Sequence, residues 1–185
     1  MTGLSNRFEA TYGLPKSVAL AKIRPVMVPW VQEFVRHSSF LVMATAGKEG
    51  RCDSSPRGGP PGFVQLAGDS TLFIPDTKGN KLFQSLKNIE ESGQIGLLFF
   101  IPGVSDTVRI NGTAAVLDGA DPSIPAHVSE QSPIEPDKIR YWTRVTVSEA
   151  YGHCSRSVTA GRIWDVSAIG DHVVSPPVRP RLHDE

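Results

Sequence analysis

Basic side chains beside glycine turns occur in three segments of the chain, and this pattern could bind an anionic ligand. Residues 55–59 contain Arg57, residues 75–81 end in Lys81, and residues 107–112 contain Arg109. A phosphate group needs charge-assisted donors, which arginine and lysine supply. The sequence therefore predicts that these three segments form the walls of one anion-binding pocket.

Residues 80–91 are predicted to form a helix that would position the middle segment. Asn80 follows a glycine and is a suitable N-cap, and one apolar stripe continues through the segment at Leu82, Phe83, Leu86 and Ile89. Lys78 and Lys81 lie near the positive end of the helix dipole, where cations are unfavourable. An anion resting on the helix N-terminus would offset this arrangement, so the segment indicates a phosphate.

The elements around this helix predict a mainly β fold of the α+β class. An amphipathic helix is expected to end near His37. Residues 95–101 form a continuous apolar run, which we expect to be buried on both faces. Short β-prone runs separated by glycine and proline favour an antiparallel barrel with flanking helices over a doubly wound sheet; they span residues 40–45, 51–55, 63–66, 71–74, 95–101, 107–114 and 139–151.

No linker divides the 185 residues strongly enough to imply separate folding units. We expect residues 1–39 to be a helical extension packed on the barrel. Residues 40–165 would form the barrel domain itself. Residues 166–185 would form a C-terminal tail.

Composition restricts the classes of function. Lys plus Arg and Asp plus Glu both number 19, so the net charge is zero and gives no support for nucleic-acid binding. There is no signal-like start and no apolar run of membrane-spanning length, so we expect a cytoplasmic protein without membrane contact. Cys52 and Cys154 have no metal-like spacing, and we expect Cys154 with His153 to be packing residues rather than a nucleophilic pair. Ser55 lacks the context of a nucleophile elbow.

From about Phe40 to Trp164 the sequence resembles the pyridoxamine 5′-phosphate oxidase-like flavoproteins, the FMN-binding split-barrel group. The resemblance is carried by the order and spacing of short motifs rather than by one motif. They are Asp53-Ser54-Ser55-Pro56-Arg57-Gly58-Gly59 with Pro61-Gly62-Phe63-Val64, Ile74-Pro75-Asp76 with Gly79-Asn80, Asn88-Ile89, Gly96-Leu97-Leu98-Phe99, Pro102-Gly103, Arg109-Ile110-Asn111-Gly112, His153-Cys154 and Trp164-Asp165. It implies a six-stranded split barrel, a homodimer, and FMN bound at the subunit interface.

The resemblance also implies which residues bind the cofactor. Basic and amide side chains would hold the flavin phosphate, and they match Arg57, Asn80 and Lys81. Backbone and short side chains would lie along the ribityl chain and the isoalloxazine edge, and they match Pro75, Asp76 and Thr77.

The resemblance implies two further pairs of residues near the cofactor. Thr107 and Arg109 would face the flavin from their strand, although Arg109 could instead bridge to an acid. Arg156 and Trp164 would reach the cofactor of the partner subunit. Together these residues imply an FMN-dependent oxidoreductase that acts on a small molecule.

Other functions stay open from the sequence. The chain could bind or store FMN without turnover, or act as a sensor, and the same barrel could use deazaflavin F420 or haem. The true oxidases close with an additional strand and an Arg-x-His element. Residues 181–183 have that pattern but lie in the last five residues, so we attribute the match to chance and do not expect vitamin B6 oxidation.

Overall fold

The computed structural model describes residues 7–79, 81–173 and 176. The predictions made for Asn80 and for residues 181–183 therefore lie outside the described residues.

One antiparallel sheet of seven strands forms the centre of the fold, in the order β2-β1-β5-β6-β7-β4-β3. The predicted mainly β, antiparallel split-barrel class is confirmed. The resemblance implied six strands, whereas the described sheet has seven and ends at β2 and β3 without closing into a barrel. The strands are β1 (Phe40–Ala46), β2 (Cys52–Gly58), β3 (Gln65–Leu66), β4 (Thr71–Asp76), β5 (Gln94–Phe100), β6 (Thr107–Asp118) and β7 (Tyr141–His153).

The helices are short and lie around the sheet. The predicted amphipathic helix that ends at His37 is confirmed as α3, which buries Val31 and Val35 in the main core. No helix in the described part of the chain is long and apolar enough to cross a membrane. The helices are α1 (Arg7–Tyr12), α2 (Ser17–Leu20), α3 (Pro29–His37), α4 (Gln84–Ser92), α5 (Ala126–Glu130), α6 (Arg156–Ala160) and α7 (Val166–Ile169), with 3-10 turns at Pro136–Lys138 and Gly170–Val173.

The core lies on one face of the central strands. In β5 the side chains of Ile95, Leu97 and Phe99 are buried, whereas the alternate residues Leu98 and Phe100 are only half-buried. The prediction that this strand is buried on both faces is wrong. An antiparallel sheet commonly covers one face with the core and leaves the other more open, and β5 follows that pattern between β1 and β6.

A bulge between Asn111 and Gly112 shifts the register of β6 against β7. A Cβ on Gly112 would lie only 2.0 Å from the backbone oxygen of Thr146. The close approach of the two strands at the bulge therefore requires glycine.

The proposed division into residues 1–39, 40–165 and 166–185 stays a prediction. Within the first range, the backbone amide of Met27 donates to the carbonyl of Asp69 at 2.7 Å, and Arg24 forms an isolated bridge with Ala150. The segment before β1 is thus hydrogen-bonded to β7 and to the turn between β3 and β4.

Candidate functional site

The inward face of β2 carries the polar side chains of the site. Successive side chains of a strand point to opposite sides, and in β2 the half-buried positions alternate with exposed ones. Asp53, Ser55 and Arg57 are the half-buried residues. They form one row that points towards the segment before α4.

Arg57 and Asp76 join two strands that are not neighbours in the sheet. The Nη1 atom of Arg57 donates to Oδ1 of Asp76 at 3.3 Å, with 25% and 15% of the two side chains exposed. Strand β2 is one edge of the sheet, and β4 is next to the other edge. The ion pair therefore spans the opening between the two ends of the sheet.

The environment of Asp76 disfavours its charged form. Burial raises the pKa of the Asp76 carboxyl above its ordinary value of 3.8, and the Arg57 and Arg140 guanidinium groups oppose part of that rise. One donor of Arg57 serves Asp76, while a guanidinium has five N–H groups. Arg57 thus keeps donors for a ligand.

The segment between β4 and α4 has an unusual backbone. Lys81 and Phe83 have φ angles of 66° and 53°, which non-glycine residues seldom adopt. Because of this conformation the helix begins at Gln84, so the prediction that it begins near Asn80 is wrong. The Phe83 ring packs edge-on against Tyr141, with 6.3 Å between the ring centroids, and this contact ties the segment to β7.

The first turn of α4 lies at the site, and its backbone amides have no acceptor within the helix. Phe83 is the N-cap and supplies no side-chain hydrogen bond. The first amides of a helix have no acceptor within the helix, and here they belong to Gln84, Ser85 and Leu86. These three residues line the same space as Arg57.

The residues described above enclose a cavity of about 310 Å³. Its size lies at the lower end of the range for small-molecule sites. The cavity holds one guanidinium, one ammonium and the backbone amides at the start of α4, which are suited to bind an anion such as a phosphate, and it also holds the carboxylates of Asp53 and Asp76. The lining residues are Asp53, Ser55, Pro56, Arg57, Asp76, Thr77, Gly79, Lys81, Leu82, Phe83, Gln84, Ser85 and Leu86.

Four of the residues implied by the resemblance meet in this cavity, namely Arg57, Asp76, Thr77 and Lys81. Pro75 is buried within β4 and does not line it. The first two of the three predicted segments therefore lie together.

The third predicted segment does not line the cavity within one chain. Thr107 is buried and pairs with His153, while Nη1 of Arg109 donates to the Tyr151 hydroxyl at 3.3 Å. Arg156 is exposed at the start of α6, and Nε1 of Trp164 donates to the carbonyl of Val104 at 2.9 Å. The prediction that all three segments enclose one pocket is wrong for a single chain, because β1 and β5 separate β2 from β6.

The sequence reasoning missed Asp53 and Ser85 as site residues. Period-two alternation through β2 was the signal that could have placed Asp53 beside Arg57. The expected packing role of His153 and Cys154 was also wrong, since both are exposed. No group of three side chains suited to hold a metal occurs among the residues that the structure describes.

The fold and site define a class of proteins that have an antiparallel split sheet with a polar cavity between the two ends of the sheet. A family profile described as pyridoxamine 5′-phosphate oxidase matches residues 27–154, which is well over half of the chain. The chain therefore belongs to the pyridoxamine 5′-phosphate oxidase family. No curated protein shows significant similarity to it.

Solved structures with similar folds have low sequence identity to this chain. The tagged HupZ protein of Group A Streptococcus has a TM-score of 0.51 and 16% identity, over 68% of this chain and 93% of that chain. A putative pyridoxamine 5′-phosphate oxidase of Lactobacillus delbrueckii has a TM-score of 0.49 and 14% identity, over 69% and 95%. HutZ, the haem storage protein of Vibrio cholerae, has a TM-score of 0.47 and 13% identity, over 68% and 93%.

Proposed function

We propose that this protein binds FMN in the cavity between β2 and α4 and acts as an FMN-dependent oxidoreductase on a small organic molecule. The observation that carries the proposal is the convergence of Arg57, Lys81 and the first turn of α4 on one cavity. Membership of the pyridoxamine 5′-phosphate oxidase family supports it.

The donors of the cavity fit the phosphate of FMN. A phosphate monoester carries close to two negative charges and accepts several hydrogen bonds. Arg57 and Lys81 supply two positive charges, and the amides of Gln84 and Ser85 supply neutral donors at the positive end of the helix dipole. The number and type of these donors match the needs of a phosphate.

The flavin supplies the redox chemistry when it is bound. The chain's own residues have binding and orienting roles. Arg57 is held by Asp76, which fixes the guanidinium at the opening of the sheet. Leu82, Phe83 and Leu86 line the cavity with apolar surface and reduce the water that competes for the donors.

The described lining residues favour FMN over haem. They include no histidine, cysteine, methionine or tyrosine, and these are the side chains that usually ligate haem iron. A titration with F420 is the control for the deazaflavin alternative.

We also propose a homodimer in which the partner completes the site. Thr107, Arg109, Arg156 and Trp164 do not line the cavity within one chain. A cofactor larger than the cavity of about 310 Å³ has to extend beyond it. A second copy of the chain would bring these residues to the exposed part of the cofactor.

Binding of FMN is tested by titration of the apoprotein with FMN, F420 and haem, followed by absorbance and by calorimetry. We expect saturable binding of one FMN per chain, with weaker F420 and haem binding. Tight haem or F420 binding without FMN binding would contradict the proposed cofactor. Reduction of bound FMN by NADH or NADPH then tests turnover, and binding without reduction by any donor would favour a storage or sensor role.

A further inference from the structure

A second cavity lies where the segment before α3 meets the end of β7. Its volume is about 490 Å³, which is within the range of small-molecule sites. Its wall includes the small or apolar residues Ala21, Val28, Ala150 and Gly152. The second cavity shares no lining residue with the cavity beside α4, so a ligand in it would occupy a separate site.

Trp30 presents an aromatic ring to the second cavity. The residue lies in the first turn of α3, and 54% of its surface is exposed. One edge of the indole rests on β7, since a Cβ on Gly152 would lie 2.9 Å from Cη2 of Trp30. The ring is thus held at that edge while much of its surface stays open to a ligand. Exposed indole surface of this kind favours contact with another aromatic ring.

Two cationic side chains line the same cavity without an anionic partner. Lys22 and Arg24 are exposed, and the ion pairs of the described residues include neither of them. The backbone of Arg24 exchanges two hydrogen bonds with Ala150, at 3.1 and 2.8 Å. The guanidinium therefore extends from a fixed point of the cavity wall and has all its donors available for an anion.

The charge of the lining favours a monoanion. Asp106 lines the cavity opposite in sign to Lys22 and Arg24, so two cations exceed one carboxylate by a single positive charge when His153 is counted as neutral. A dianion would be repelled by Asp106 more strongly than a monoanion would be. The N-terminus of α3 also begins at this cavity, and the positive end of its dipole favours an anion.

We propose that the second cavity binds a small aromatic carboxylic acid. The ring of the ligand packs on Trp30, and its carboxylate accepts hydrogen bonds from Arg24 and Lys22. A guanidinium and a carboxylate are matched in shape, because two parallel hydrogen bonds can join them. The inference goes beyond the proposed function and does not depend on it, since the cofactor is assigned to the cavity beside α4.

The test is calorimetric titration of the full chain with three probes that share one ring system. They are 2-naphthoate, its neutral carboxamide and the corresponding naphthyl phosphate. We expect one naphthoate to bind per chain. The carboxamide should bind about tenfold more weakly, because it lacks the charge that the cations recognise. The phosphate should also bind more weakly than naphthoate, because of Asp106.

Variants assign the signal to the individual side chains. Arg24→Gln should lower the affinity for naphthoate about tenfold and leave that for the carboxamide unchanged. Trp30→Leu should lower both affinities by the same factor of about five, because the ring contact does not depend on charge. Asp106→Asn should strengthen binding of the naphthyl phosphate more than that of naphthoate. The matched control is Lys48→Gln, since Lys48 is exposed and does not line this cavity.

Four results would overturn the inference, with the fold of each variant verified by circular dichroism. One is the absence of naphthoate binding, and another is a carboxamide that binds as tightly as the acid. The third is an affinity for naphthoate that neither Arg24→Gln nor Trp30→Leu changes. The fourth is displacement of naphthoate by FMN, or a loss of its binding in Arg57→Ala, which would assign the ligand to the cofactor site.

The inference and the proposed function fail separately. A protein that binds naphthoate through Arg24 and Trp30 but does not bind FMN would contradict the proposed function alone. A protein that binds FMN but not naphthoate would overturn the inference and leave the FMN proposal standing.

Discussion

The Nη1 atom of Arg57 and the Oδ1 atom of Asp76 lie 3.3 Å apart and connect β2 with β4 across the open side of the sheet. Each side chain is largely removed from solvent, so the pair is screened less than a surface ion pair. The contact holds the guanidinium at the cavity while most of its N–H groups stay available for a ligand.

Substitution of the two cationic residues should weaken FMN binding. Arg57→Ala and Lys81→Ala are each expected to cost about 1.5–3 kcal/mol, the range for hydrogen bonds to charged groups. The matched control is Lys78→Ala, because Lys78 is exposed and does not line the cavity. Isothermal titration measures the three affinities.

Riboflavin, which lacks the phosphate, distinguishes phosphate contacts from other effects of these substitutions. Riboflavin should bind the wild type and Arg57→Ala with equal affinity. An equal loss of FMN and riboflavin affinity would show that Arg57 does not contact the phosphate.

The pH dependence of stability should report the burial of Asp76. Because burial raises the pKa of Asp76 above 3.8, the folded chain binds this proton more tightly than the unfolded chain does. Ionisation of Asp76 therefore destabilises the folded state as the pH rises from 3.8. The free energy of unfolding of the wild type minus that of Asp76→Asn should fall over this range and become constant once the folded-state carboxyl is ionised.

Chemical denaturation of both proteins at a series of pH values measures this difference. Titratable groups other than Asp76 contribute equally to the free energy of unfolding of both proteins, so their effect cancels. A difference that increases with pH would mean that attraction by Arg57 outweighs burial. The pKa of Asp76 in the folded protein would then be lowered rather than raised.

Complementation between variants tests whether the site is shared by two chains. If Arg57 from one chain and Arg156 from the other contact the same FMN, each single variant should bind FMN weakly. Mixed dimers of Arg57→Ala and Arg156→Ala chains would contain one intact site and one doubly altered site. Tight FMN binding should therefore reappear after the two variants are unfolded, mixed and refolded.

Sedimentation analysis of the same samples should give twice the chain mass of 20.0 kDa. A monomeric protein, or mixed samples that bind no more FMN than either variant alone, would contradict a shared site.

The bulge in β6 predicts a strong effect of one added methyl group. Gly112→Ala should destabilise the fold by about 1–3 kcal/mol or more, because its Cβ meets the Thr146 carbonyl oxygen. Gly79→Ala is the control, since a Cβ there meets no atom within 4 Å. Thermal denaturation should show a lower Tm for Gly112→Ala alone, and equal melting temperatures would exclude a tight approach at the bulge.

Local pattern was sufficient to predict the strands and the amphipathic helix α3. Alternating apolar residues and glycine turns depend on the nearest neighbours in the chain, and these determine where β1, β5 and β7 begin. The start of α4 could not be predicted in this way. Lys81 and Phe83 adopt positive φ angles, and Phe83 packs on Tyr141, a contact between distant parts of the chain.

The site was only partly predictable for the same reason. Arg57 and Lys81 could be found because basic residues beside turns are typical of phosphate sites, whereas Thr77 was implied only by the resemblance to the family. The hydrogen bond that the Ser85 hydroxyl donates to the Asp53 carboxylate depends on how α4 packs across β2. No local sequence pattern records that packing. The separation of Arg109 from the cavity follows from the strand order, which period-two alternation does not determine.

The most direct test of the central claim is the absorbance spectrum of the purified protein during titration with FMN. A flavin spectrum that is perturbed on binding and saturates at one FMN per chain, with the affinity reduced in Arg57→Ala, is the predicted result. A protein whose addition leaves the FMN spectrum unchanged at every concentration, while calorimetry detects no binding, would contradict the assignment of the cavity to FMN.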